Sequence, residues 1–299
     1  EDLILDEESI FLPPFYYSEV GVANKIKRLL EDSSGTLFDG TLDIEAIVKQ
    51  TSIQYDDVQV AAIKQAVQSK VMVLTGGPGT GKTTTTLGII AALESLGQSI
   101  LLAAPTGRAA KRMSEATGKE AKTIHRLLEF NPAEGYGRND ENPLQGGVLI
   151  VDEASMIDVI LMNSLLKAVP PYMRVIIVGD IDQLPSVGAG NVLRDIIDSG
   201  VVPVVRLTRI FRQAQSSRII TNAHKINQGI FPDISNGKYA DFFFIKLEDP
   251  EHAANEIVNI VKNRIPKAYH YSTNDIQVLA PMQRSVVGAT NLNIALQEA

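Results

Sequence analysis

Residues 71 to 83 read Val-Met-Val-Leu-Thr-Gly-Gly-Pro-Gly-Thr-Gly-Lys-Thr, a short apolar run emptying directly into a glycine-rich loop. Few features constrain a fold as tightly. Glycines let successive backbone N–H groups turn inward around a polyphosphate, Lys82 brings a point charge to it, and the Thr83 hydroxyl can supply one ligand to Mg²⁺. The chemistry requires the loop to sit between a buried strand and a helix. Val71 to Thr75 predicts that strand, and Thr83 to Leu96 alternates apolar and polar residues at helical spacing. Gly77, Pro78, Gly79, Thr80, Gly81, Lys82, Thr83 and Thr84 are therefore the candidate phosphate-binding residues.

The surrounding pattern alternates helix and buried strand: helix 56–69, strand 71–75, helix 83–96, strand 99–104 and helix 107–117. Strands at 148–152 and 174–178, helices near 158–168 and 190–199, and a strand at 201–207 continue it. That order predicts an α/β fold with a parallel sheet covered by helices on both faces. Beyond it, a helix at 216–228, a strand at 242–246, a helix at 251–264, a strand at 276–280 and a helix near 288–298 read as a second unit that stops before its sheet is complete. Upstream, Pro13-Pro14 precedes a helical pattern, and a second such pattern spans Ile44 to Gln50. Glu1 is not an initiator methionine, and residues 1–55 read as a helical appendage at the end of an upstream domain.

Three further blocks place polar groups at strand ends. Val148 to Val151 delivers Asp152 and Glu153 at its carboxyl end, where open α/β sheets bind ligands. Asp152 can share the Mg²⁺ with Thr83, and Glu153 can polarise a water for in-line attack on a terminal phosphate. The next strand ends in Val178-Gly179-Asp180-Ile181-Asp182-Gln183, where the neutral Gln183 amide can hydrogen-bond a phosphate or an attacking water without repulsion. Ala104 to Arg112 reads APTGRAAKR and opens a helix whose N-terminus suits a nucleic-acid phosphate, and Thr123-Ile124-His125-Arg126 extends that surface.

The net charge of −7 argues at first against a nucleic-acid partner. Its distribution reverses that: the first 60 residues hold 13 acids against 4 bases, which leaves the remainder at +2. Residues 104–126 carry six bases against two acids, and 206–225 five bases and no acid. Such residues either solvate helix faces or meet phosphates, and the neighbouring motifs decide between the two. The chain has no cysteine, which excludes disulfides and thiolate metal sites; His125, His224, His252 and His270 lack metal-ligand spacing. No run approaches the eighteen apolar residues of a membrane span, and no secretory signal pattern is present.

Together these blocks resemble the RecD-type superfamily 1 DNA helicases, the family of the exodeoxyribonuclease V alpha subunit, including RecD-like enzymes that act without RecB and RecC. The resemblance rests on Gln59 in DDVQVAAI, GGPGTGKTTT, APTGRAAKRM, TIHRLL, LIVDEASMID, VGDIDQLPSVGAGNVL, LTRIFRQ and IQVLAPMQR, in the family's order over residues 59–284. FLPPFYYSE is similar to the family's segment just upstream of the motor.

The resemblance implies a P-loop NTPase of RecA-like fold at 56–207, an incomplete second RecA-like domain at 208–299, and a β-hairpin wedge within 129–147, a stretch that could equally be a solvated loop. It implies ATP and Mg²⁺ as cofactors, with Gln59 recognising adenine, Phe211 packing near the base and Arg212 contacting the γ phosphate. Thr106, Arg108, His125, Ser186 and Asn191 would line a single-strand track. The implied partners are single-stranded DNA, junctions of single and double strand, and RecB/RecC-like subunits or a single-strand-binding protein. The implied setting is the bacterial cytosol, with 5′-to-3′ movement serving repair and recombination. No block like the family's VHKSQGSE, nor its second arginine, follows within the 299 residues. The resemblance therefore admits two readings: a helicase motor, or a nucleotide-gated DNA-binding or subunit-interaction module with little turnover of its own.

Overall fold

The computed structural model describes residues 3–32, 46, 51, 53–210, 216–237 and 241–299. By packing density the chain divides into two units, Glu1–Asp233 and Ile234–Ala299.

The first unit opens with an antiparallel pair, β1 (Ile4–Asp6) and β2 (Ser9–Phe11), which the sequence reading did not anticipate. Pro13 and Pro14 follow inside the first turn of α1 (Pro13–Glu31), where a missing N–H costs nothing. The helical pattern expected at Ile44 to Gln50 lies outside the described residues except for Ala46. Next come α2 (Asp57–Gln68), β3 (Val71–Gly76), α3 (Lys82–Ser95), β4 (Ile100–Ala104) and α4 (Gly107–Thr117). A short strand β5 (Ala121–Thr123) and a single turn α5 (Ile124–Leu127) follow, then an antiparallel hairpin of β6 (Phe130–Asn131) and β7 (Gly135–Tyr136). β8 (Val148–Val151), α6 (Val159–Lys167), β9 (Arg174–Gly179), α7 (Val192–Asp198), β10 (Val204–Leu207) and α8 (Arg218–Asn227) complete the unit.

Six strands form one parallel sheet in the order β10-β3-β9-β8-β4-β5. The period of two along a strand sorts its residues onto two faces. Val71, Val73, Leu149, Val151, Val175 and Ile177 join one buried cluster with Val22, Ile26 and Leu29 of α1 and Met162 and Leu165 of α6. Met72, Leu74, Val148, Ile150, Ile176 and Val178 join the other, with Ile63 of α2 and Ile89 and Leu93 of α3. Each fully buried aliphatic side chain stabilises the fold by roughly 1.5–3 kcal/mol, so a central strand buried on both faces is a rigid platform for the loop at its end. On the second face, Gly88 of α3 lets α2 approach closely: a Cβ there would stand 2.5 Å from Ile63 Cδ1 and 3.0 Å from Tyr55 Cε1.

The second unit holds α9 (Pro250–Asn259), which runs through a π-helical turn at Ile260–Arg264 into α10 (Ile265–Tyr269), and α11 (Ala289–Glu298). The strands expected at 242–246 and 276–280 are not formed. Extended backbone becomes a strand only with a ladder partner. Around Phe244 the partner is a side chain instead: Asn236 Nδ2 donates to Phe244 O at 3.1 Å, and Phe244 N donates to Asn236 Oδ1 at 3.1 Å. No described helix is long and apolar enough to cross a membrane.

Candidate functional site

The carboxyl ends of β3, β8, β9 and β4 lie at one edge of the sheet, and Lys82, Asp152, Glu153 and Gln183 follow from three of them. From β3 the chain turns through Gly79 at φ 73° and Gly81 at φ 85°, left-handed values that glycine adopts without a Cβ penalty. Gly81 caps α3. Among the described residues, the N–H groups of Gly79, Thr80 and Gly81 have no intramolecular acceptor, and those of the first helical turn lack one by construction. Thr80 is buried and its hydroxyl donates to Gly77 O at 2.8 Å, which pins the loop across its own base. Lys82 Nζ donates to Gly76 O at 2.5 Å and Gly77 O at 3.2 Å, and stands 3.9 Å from Asp180 Oδ2. A row of N–H donors without acceptors beside a held cation is suited to an anion.

Opposite this loop, Thr83, Asp152 and Glu153 line one cleft of about 80 Å³ together with Arg112 of α4. Burial pushes the Asp152 carboxyl above its ordinary range; the Glu153 N–H, donating to Asp152 Oδ1 at 2.8 Å, and the charges of Lys82 and Arg112 oppose that. Glu153 is raised first by burial and next by Asp152, and Arg112, with Nη1 3.9 Å from Glu153 Oε1, draws it back. The Glu153 backbone is left-handed at φ 52°, a conformation that costs a non-glycine residue on the order of 1 kcal/mol and is held by the 3₁₀ turn at Ala154–Met156 that follows. A half-buried carboxylate and a hydroxyl lining one cleft are hard oxygen donors. They fit Mg²⁺, which binds through one or two protein oxygens and keeps waters and phosphates for the remaining positions. No group of three or more His, Cys, Asp or Glu side chains suited to a metal occurs among the described residues.

Gln59 lies beneath the loop, fully buried. Its Oε1 accepts from Asp56 N at 3.0 Å while Gln59 N donates to Asp56 Oδ1 at 2.9 Å, a reciprocal cap on α2. Its Nε2 donates to Thr85 Oγ1 at 3.2 Å. In this arrangement the Gln59 amide braces the loop's helix, and reading an adenine would require it to leave these partners. Thr84 occupies the first turn of α3. Gln183 is exposed beyond β9, with its N–H donating to Asp180 O at 3.2 Å. Phe211 and Arg212 lie outside the described residues.

The expected nucleic-acid residues gather on the same edge. Thr106 caps α4, accepting from Ala109 N at 3.2 Å, and Arg108 is exposed one residue into that helix's first turn. His125 follows β5, which pairs with β4 so that Thr123 stands opposite Ala104. Its ring meets Phe130 at 5.5 Å edge-on and Tyr136 at 6.0 Å, joining this edge to the hairpin. Ser186 and Asn191 bracket the loop between β9 and α7, where Ser186 Oγ donates to Gly188 O at 2.8 Å and Gly190 O at 3.1 Å.

Sequence reasoning did not single out Asp180, although it ends a strand at the same edge and is almost fully buried. The strand-end rule that selected Asp152 applies to it equally. Arg112 belongs to the basic APTGRAAKRM block, and His224 is one of four histidines without metal spacing; neither has a sequence signal for what it touches.

A family model described as an AAA domain matches residues 59–189. The ATP-dependent RecD2 DNA helicase of Deinococcus radiodurans is 37% identical over 295 residues, 97% of this chain and 39% of that protein. The chain belongs to the RecD-like superfamily 1 proteins. The RecBCD enzyme subunit RecD of Mycobacterium tuberculosis is 43% identical to this RecD-like chain over 165 residues, 48% of this chain and 29% of that protein. The chain thus spans less than two fifths of the length of these relatives. Among solved structures, the Pif1 helicase from Candida albicans aligns with 21% identity and a TM-score of 0.47, covering 69% of this chain and 55% of that one.

Proposed function

We propose that this RecD-like chain is the nucleotide-binding part of an ATP-dependent DNA helicase that couples ATP binding and hydrolysis to 5′-to-3′ movement along single-stranded DNA in repair and recombination. The observation that carries this reading is the convergence of the phosphate loop, the Asp152–Glu153 pair and the Thr106 and His125 surface on one sheet edge. Nucleotide and strand would then be handled by adjoining loops of one rigid platform. Lys82 and the loop N–H groups bind the phosphates, Thr83 and Asp152 would hold Mg²⁺, and Glu153 would take the proton from the attacking water. When bound, the metal would neutralise charge developing on the phosphates. Gln183 would sense the terminal phosphate, and Phe211 and Arg212 would complete the site.

Residues 56–207 would form the first motor domain and 208–299 part of a second. The β6–β7 hairpin would part the duplex at a junction, with the aromatic contact to His125 transmitting the strain. Partners are single-stranded DNA and forked duplexes, with RecB/RecC-like subunits or a single-strand-binding protein as protein partners in the bacterial cytosol.

The test is ATP hydrolysis by the chain with and without single-stranded DNA, alongside Lys82→Ala. DNA-stimulated turnover abolished by Lys82→Ala supports the motor. ATP and DNA binding without turnover would support the gated binding module instead, and no nucleotide binding would overturn both. For the hairpin, replacing residues 130–136 by a short glycine linker in a helicase-competent form should leave DNA-stimulated ATPase intact and remove unwinding.

A further inference from the structure

A histidine from α8 rests on the phosphate loop. His224 Nε2 lies 3.2 Å from Pro78 O, and a carbonyl can only accept, so Nε2 carries the proton and donates. The same ring explains Gly77. That glycine is not among those at positive φ, so its backbone makes no demand for glycine; instead, a Cβ would meet His224 Cε1 at 2.7 Å, and the next nearest atoms are also of that ring. Two features of the loop, a missing side chain and an occupied carbonyl, therefore point to one imidazole.

The contact has a consequence for the donors of the cradle. Proline has no N–H, so the carbonyl is the one hydrogen-bonding group Pro78 owns. Among the described residues every peptide is trans, and in a trans peptide the C=O and the following N–H point to opposite sides. With Pro78 O drawn onto His224, the Gly79 N–H is turned away from the ring and, among the described residues, is left without an acceptor. The helix that presents the ring is itself anchored. Asn222 is buried and exchanges two hydrogen bonds with the Asp233 backbone, Nδ2 to Asp233 O at 2.9 Å and Asp233 N to Oδ1 at 2.8 Å. Ser217 caps its start, accepting from Ile220 N at 3.3 Å.

We propose that His224 is a positioning residue of the nucleotide site, fixing the 78–79 peptide so that the Gly79 N–H faces a bound polyphosphate, and that Gly77 is glycine to admit the ring. This rests on the reading of the loop as a nucleoside triphosphate site. It makes the loop's donor geometry depend on α8, the helix that follows the segment holding Arg212.

The test is titration of the 299-residue chain with a fluorescent ATP analogue and Mg²⁺, with thermal unfolding of each variant as a check on folding. His224→Ala should weaken binding by roughly 3- to 10-fold, the worth of one hydrogen bond to a group that must be held in place. His224→Gln, whose amide can reach the same carbonyl, should recover most of the loss. Gly77→Ala should displace the ring and match His224→Ala, and the double variant should bind no more weakly than Gly77→Ala alone. Lys82→Ala should abolish binding. Wild-type affinity in His224→Ala, with Lys82→Ala inactive, would overturn the role of His224, as would additive losses in the double variant or no recovery in a folded His224→Gln. Wild-type affinity in Lys82→Ala would overturn the nucleotide reading itself.

Discussion

Arg112 of α4 stands 3.9 Å from Glu153, the acid at the end of β8, and both line the cleft that holds Thr83 and Asp152. The helix bearing Arg112 begins at Thr106, on the expected DNA surface, so one element touches both chemistries. Arg112 opposes the upward pull of burial and of Asp152 on the Glu153 carboxyl. Removing it should raise that pKa further. If Glu153 accepts the proton of the attacking water, its carboxylate is the active form, so Arg112→Ala should move the acid limb of kcat/KM for ATP to higher pH. The expected loss is roughly two- to fourfold below neutrality, as for a solvent-screened pair, with little change on the alkaline plateau. Arg112→Lys should shift the limb less. An equal loss at all pH values would show that Arg112 acts otherwise.

The raised carboxyl of Asp152 makes a second pH prediction, for stability. Its folded pKa lies above the ordinary 3.8 because burial disfavours the charge, so the native state binds the proton more readily than the unfolded chain. Stability falls as pH rises through the interval between the two values, and the full cost is present above the folded one. Asp152→Asn should therefore melt higher than the wild type at pH 8, measured without Mg²⁺ or nucleotide. The gap should narrow as pH falls toward the carboxylate range. Saturating Mg²⁺ should stabilise the wild type and not the variant, which tests the metal assignment in the same experiment.

Much of this edge was legible from residue types because its chemistry is local. A glycine loop between a strand and a helix, and two acids after four apolar residues, are short-range patterns whose backbone consequences are nearly forced. The strands at 242–246 and 276–280 were misread for the opposite reason: an apolar run reports what a strand would bury, not whether a partner exists to complete its ladder. The contacts of His224 and Arg112 were illegible because each is made across the fold, by a side chain whose own neighbourhood in sequence carries no signal. β5 was missed for want of length, at three residues.

Gln59 illustrates how a residue singled out for ligand recognition can also be structural. Its side chain both closes the cap of α2 and donates to Thr85 below the phosphate loop. Gln59→Ala should remove a cap and leave a buried hydroxyl with one partner fewer, at a cost of about 1–3 kcal/mol in urea unfolding. Gln59→Glu keeps the acceptor toward Asp56 N but loses the donor toward Thr85, so it should be destabilised as well. A role confined to the base would leave unfolding of the nucleotide-free chain unchanged in both.

The packing of α1 bears on where the first unit begins. Val22, Ile26 and Leu29 lie in the same buried cluster as Val71 and Ile177 of the central strands, so α1 is part of the core of this unit. It packs tightly on α6 at Gly21, where a Cβ would clash with Asn163 Oδ1. Among the described residues that oxygen is buried without a hydrogen-bond partner, while Asn163 Nδ2 reaches Ser18 Oγ at 3.5 Å. Gly21→Ala should destabilise the unit by about 1–3 kcal/mol through overpacking. Asn163→Ala makes room and removes the unsatisfied oxygen, so the double variant should unfold at higher denaturant than Gly21→Ala alone. An appendage docked loosely on the sheet would show neither effect in global unfolding, whereas a helix built into the core gives both, with one cooperative transition.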